Sequence, residues 1–120
     1  LRRCLNFGHT FGHAIESYFL AESNPISHGC AIAWGIQLEL AYSALHYKQT
    51  VAGIEDAVDF LRSGFPPIPH FAFEELMHHM RDDKKNRAQK ILGVVLSEIA
   101  EAHFDVEYEV GQIKKIWEDV

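Results

Sequence analysis

The stretch from His28 to Tyr47 constrains this chain more than any other. Ile32, Trp34, Ile36, Leu38, Leu40, Ala41 and Leu45 leave almost no polar side along it. A helix that is apolar nearly all round has to be wrapped by other elements, so this one is predicted at the centre of the domain. Ser27 has the side chain of an N-cap for it. Ala21-Glu22-Ser23-Asn24-Pro25 separates it from the preceding segment. No apolar run nears the roughly 20 residues of a membrane span.

The neighbours of this helix are also readable. Phe7, Phe11, Ala14, Ile15 and Tyr18 recur at spacings of three and four, which predicts a helix from Phe7 to Leu20. Thr50 caps an expected third helix through Ile54, Val58 and Leu61, ended by Gly64. Phe65-Pro66-Pro67-Ile68-Pro69 is a stiff extended connector. Phe73 to Met80 forms a fourth helix with Leu76, Met77 and Met80 inward. Arg81 to Lys90 is a dense, mainly basic loop. Ile91 to Leu96 reads as a strand, and His103 to Val110 as a second, alternating Phe104, Val106, Tyr108 and Val110. Gln112 to Trp117 closes the chain as a short helix. The expected fold class is mainly α, with a small two-stranded β patch, in one domain over residues 1–120.

Size and composition fit that reading. A chain of 120 residues, 48% hydrophobic and 23% charged, has room for one core and is not of disordered composition. Two cysteines are too few for a disulfide scaffold, so a reducing cytoplasm is expected. A net charge of −6 argues against a general nucleic-acid binder, and no secretory leader is visible. The first residue is Leu rather than Met, so the chain is expected to be part of a longer one.

Histidine is the unusual count, at 8. His9 and His13 are four apart on a predicted helix and project from one face. Gly8 and Gly12 share the same spacing, and glycine within a helix costs about 1 kcal/mol relative to Ala. Two such costs on adjacent turns imply a close approach to the backbone, by a ligand or by a second helix. His28 opens the next helix, and a bend between the two would return it toward His9. Imidazoles on facing helices commonly hold a divalent metal. Two or three of them remain an incomplete set, because a catalytic zinc usually has three protein ligands. His46, His70, His78, His79 and His103 read as ordinary residues, with His78 and His79 solvated.

Three elements together resemble the 3-dehydroquinate synthase family. They are Arg2 followed by Leu5-Asn6-Phe7-Gly8-His9-Thr10-Phe11-Gly12-His13-Ala14-Ile15-Glu16, then His28-Gly29 with Ala31-Ile32-Ala33 and Gly35, then Asp83-Lys84-Lys85. The resemblance runs along essentially the whole chain and follows the family's helical C-terminal half. It implies a phosphate-eliminating cyclase, a lyase of the shikimate pathway and aromatic amino acid biosynthesis. The family's reaction turns the seven-carbon sugar acid phosphate DAHP into 3-dehydroquinate. It also implies NAD, bound mainly by an N-terminal α/β domain absent from these residues, and a divalent metal, zinc or cobalt. The site would lie in the cleft between the two halves. The isolated C-terminal half would be inactive.

By the same resemblance, His9 and His28 match the two metal-binding histidines. The third ligand is a Glu upstream of the helical half. His13 matches the histidine that contacts the substrate phosphate and supports proton transfer. Arg2 and Asn6 match substrate-binding positions, and Lys84 or Lys85 matches a lysine on the substrate carboxylate. Each has a plainer reading: Arg2 as a terminal charge, Asn6 as an N-cap, Lys84 and Lys85 as a solvated turn. The implied partners are a small sugar acid phosphate and the chain's own N-terminal domain, with no nucleic acid and no membrane; a homodimer is allowed. The alternatives are a sibling sugar phosphate cyclase such as a 2-deoxy-scyllo-inosose synthase, whose substrate lacks the carboxylate, and a degenerate, non-catalytic helical module.

Two departures stand out. The family usually reads His-Gly-Glu at the second metal histidine, and position 30 here is Cys. A carboxylate beside a metal ligand would orient it or tune its charge. Cys30 reads either as a small buried apolar residue or as a thiolate for a soft metal. No glycine-rich nucleotide fingerprint is present.

Overall fold

The computed structural model describes residues 7–47, 54–82, 90–96 and 102–119. Five helices and one hairpin follow in the order α1 (His9–Ala21), α2 (His28–Tyr47), α3 (Ile54–Gly64), α4 (Phe73–Asp82), β1 (Leu92–Leu96), β2 (Ala102–Glu107) and α5 (Val110–Glu118). The mainly α architecture with a two-stranded antiparallel patch is as the sequence predicts. Thr50, the expected cap of α3, lies outside the described residues. No described helix is long and apolar enough to cross a membrane.

Helix α2 is the axis. It packs against α1, α3, α5 and β1. Its buried residues include Ala31, Ala33, Trp34, Leu38, Leu40 and Tyr42, which face different neighbours. Ser27 caps it as expected: its Oγ accepts the Cys30 N–H at 3.1 Å. The polar residues within it are buried as well. Gln37, Glu39 and Ser43 are 5%, 0% and 0% exposed, which periodicity did not indicate. Ser43 Oγ donates to the Glu39 carbonyl and accepts the Leu96 N–H, tying α2 to β1.

Helix α1 ends in a tight reversal. Asn24 N–H donates to the Phe19 carbonyl and Ser23 N–H to the Leu20 carbonyl, with Ser23 at φ 58°. This is the Schellman arrangement, with serine where glycine is usual. It turns the chain so that α2 runs back along α1. One core cluster joins Phe11 and Ile15 of α1, Trp34, Leu38 and Tyr42 of α2, Leu76 and Met80 of α4, Val95 of β1, and Ile113, Ile116 and Trp117 of α5.

The hairpin is held by Tyr108. Its N–H donates to the Ile91 carbonyl at 2.7 Å and its hydroxyl to the Val94 carbonyl. Its ring fills the space where a Gly93 side chain would stand, beside the register shift between Gly93 and Val95. It also stacks on Tyr42, with centroids 3.9 Å apart. Burial alternates along β2 as predicted, but Val110 is 41% exposed and opens α5 instead of extending the strand. Arg81 and Asp82, expected in the loop, continue α4 by one more half-turn. Helix α1 begins at His9, so its N-cap is Gly8 rather than Asn6.

Candidate functional site

The two glycines of the first motif are explained by a helix. A Cβ on Gly8 would lie 2.6 Å from Ile36 Cγ1 and 2.9 Å from the Ile32 carbonyl oxygen. A Cβ on Gly12 would lie 2.9 Å from the Ala31 carbonyl oxygen. From the other side, a Cβ on Gly35 would collide with the Gly8 carbonyl oxygen. Helices α1 and α2 therefore meet backbone to backbone along Gly8, Gly12 and Gly35. Gly8 also has φ 86°, a left-handed conformation that glycine adopts without a Cβ penalty. Its N–H donates to the carboxylate of Glu39, which is wholly buried in α2. That anchor fixes the turn from which His9 starts.

This seam brings the predicted histidines together. The ring centroids of His9 and His28 are 5.9 Å apart, those of His9 and His13 4.8 Å, and those of His13 and His28 6.4 Å. His9 Nδ1 and His13 Nε2 lie 3.1 Å apart, within hydrogen-bond distance. His28 stands at the first turn of α2 with its side chain 59% exposed, so its ring reaches out of the helical core. Its Nδ1 lies 3.2 Å and 3.3 Å from the two carboxylate oxygens of Glu16. Glu16 sits three residues beyond His13 on the same face of α1, a spacing visible in the sequence, where a carboxylate reads equally as a solvated charge.

Zinc–imidazole bonds are about 2.0–2.1 Å, so two rings that share an ion have centres roughly 5–6 Å apart. The His9–His28 separation and the facing-helix placement fit two nitrogen donors of such a site. The set is incomplete: among the described residues, no group of three or more His, Cys, Asp or Glu is placed to hold a metal ion. Cys30 is half-buried and packs against the core cluster.

Arg2, Asn6, Asp83, Lys84 and Lys85 lie outside the described residues. The other histidines sit elsewhere, His46 at the end of α2, His70 in the connector, His78 and His79 on α4 and His103 on β2. His78 is exposed as expected, but His79 is half-buried, its ring edge-on to Tyr18 at 6.1 Å. A cavity of about 840 Å³ between α2, α3, the connector and α5 includes none of His9, His13, Glu16 or His28 in its lining.

A family model described as 3-dehydroquinate synthase C-terminal matches residues 1–86. The chain belongs to the 3-dehydroquinate synthase family. A 3-dehydroquinate synthase of Solibacter usitatus is 36% identical, covering 94% of this chain and 29% of its own length. The 3-dehydroquinate synthase of Bacillus cytotoxicus is 36% identical over 86% of this chain and 28% of its own length. That of a Bacillus cereus strain is 38% identical over 82% of this chain and 27% of its own length. The chain thus spans less than a third of the curated relatives it matches.

Proposed function

We propose that this chain is the metal- and substrate-binding helical half of a cytoplasmic 3-dehydroquinate synthase. In this reading its partner is an N-terminal NAD-binding domain. Together they convert DAHP to 3-dehydroquinate and phosphate, and the helical half by itself does not turn over. The observation that carries the reading is the convergence of His9, His13 and His28 across the glycine seam. The relatives' shared name supports the reaction, and nothing among the described residues favours a sibling cyclase or a non-catalytic module.

His9 and His28 supply two nitrogen donors to a divalent ion, zinc or cobalt, and the third donor comes from the N-terminal half. When bound, such an ion polarises a hydroxyl that is to be oxidised. His13 Nε2 lies within hydrogen-bond distance of His9 Nδ1, and the His13 ring is placed to exchange a proton with substrate phosphate. Arg2, Asn6 and Lys84 or Lys85 supply cationic and polar contacts to a substrate that is both a phosphate and a carboxylate.

The test uses the full-length protein. His9→Ala and His28→Ala should each lower zinc affinity by at least about tenfold and abolish DAHP turnover. His13→Ala should retain zinc and lose turnover. Unchanged zinc affinity in both of the first two variants would reject the metal assignment. Zinc binding without NAD-dependent turnover in the wild type would favour the non-catalytic module.

A further inference from the structure

We infer that Glu16 is a positioning residue for His28, holding the imidazole so that Nε2 is its metal-donating nitrogen. The inference rests on the metal reading of His28. The two Glu16 oxygens lie 3.2 Å and 3.3 Å from Nδ1, at the long end of the N–H···O hydrogen-bond range. An ionised carboxylate only accepts, so the imidazole proton resides on Nδ1 and the lone pair on Nε2. A metal-ligating histidine is ordinarily fixed in this way, its second nitrogen donating to a carboxylate or carbonyl.

The fold gives His28 little else to fix it. It occupies the first turn of α2, its side chain is 59% exposed, and its ring contacts are the neighbouring His9 and His13. Glu16 is better anchored, with 33% of its side chain exposed, between His13 and the reversal at Ser23. The neighbouring position from which a carboxylate was expected is Cys30, turned against the core. The orienting carboxylate thus comes from the facing helix and not from the ligand's own. Glu16 is also one helical turn from His13 and two from His9, so one face of α1 carries both a metal donor and the group that aims the other donor.

The experiment compares wild-type full-length protein with Glu16→Ala, Glu16→Gln, His28→Ala and the Glu16→Ala/His28→Ala double variant. Zinc affinity is read by competition with a chromophoric chelator, and cobalt(II) loading by its visible absorption. Glu16→Ala should weaken zinc binding by about 10- to 100-fold. Glu16→Gln retains an acceptor oxygen toward Nδ1 and should recover part of that loss. In the His28→Ala background, Glu16→Ala should change affinity by less than about twofold, because it acts through the missing ring. Equal losses in both backgrounds, or wild-type affinity in Glu16→Ala, overturn the inference. Equal losses for Gln and Ala with an altered cobalt spectrum would make Glu16 a ligand and overturn it too. Unchanged zinc affinity in His28→Ala removes the metal reading itself, and this inference with it.

Discussion

The carbonyl oxygen of Gly8 occupies the position where a side chain on Gly35 would begin. No rotamer change relieves such an overlap, because both partners are backbone. The relationship explains why α1 and α2 approach closely enough for the His9 and His28 rings to stand 5.9 Å apart.

Gly35→Ala tests it. Alanine is the better helix former by about 1 kcal/mol, so propensity alone predicts stabilisation. Overpacking typically costs about 1–3 kcal/mol, and a backbone obstruction belongs at or beyond the upper end. We expect a loss of at least about 2 kcal/mol net, a lower melting temperature and weaker zinc binding, as the two helices are prised apart. A melting temperature at or above wild type would show that the seam is looser than described.

Glu39 offers a second test. Its removal leaves the buried Gly8 N–H without its acceptor, a cost of about 1–3 kcal/mol, with a cavity penalty added. Glu39→Ala should therefore destabilise the domain by about 2–4 kcal/mol and also reduce zinc affinity, because His9 follows Gly8. Glu39→Gln, which keeps an acceptor, should fall between Ala and wild type. Zinc affinity unaffected by Glu39→Ala would separate the anchor from the site.

Alkaline pH should weaken the fold through Tyr108. Burial, and secondarily the negative charge of Glu39, hold its phenol well above the ordinary value of about 10. The folded state keeps a proton that the unfolded chain releases above about pH 10. Its stabilising effect is whole below that pH and declines as pH rises beyond it. Tyr42 is raised in the same direction, again mainly by burial. Urea midpoints at about pH 8 and about pH 11 should differ clearly in the wild type. In Tyr108→Phe they should differ less, from a starting stability about 1 kcal/mol lower for the lost bond to Val94.

Cys30→Ala separates packing from ligation. A half-buried thiol against the core contributes contact area only, so the variant should lose about 1 kcal/mol or less and keep zinc affinity within about twofold. A loss beyond about tenfold would make the thiolate a ligand.

Much of this was legible in the sequence, for identifiable reasons. The bounds of α2 follow from Ser27 at one end and sustained apolar character to Tyr47. His9 and His13 share a face because helical spacing is local, and His28 joins them because the break after α1 is short. The glycines announced a close approach without saying by what; only packing identifies α2. Glu16 lay in plain view on the histidine face, but a carboxylate there reads equally as a solvated charge until His28 is beside it. Glu39 was illegible, since a single acid in an apolar helix can point to solvent or inward, and the tertiary wrap of α2 decides. Val110 continues a strand alternation yet starts a helix, because Tyr108 ends the ladder by pairing with Ile91.

The seam also bears on how the site comes into being. The glycine contacts between α1 and α2 and the Gly8–Glu39 hydrogen bond lie within the continuous stretch Gly8–Glu39, and the closure from Gly8 to Glu39 spans 31 positions. Such short-range topology forms fast relative to pairings between distant segments. The spacing of the histidine rings is thus set by local chain closure, while the hairpin, α4 and α5 complete the core around it.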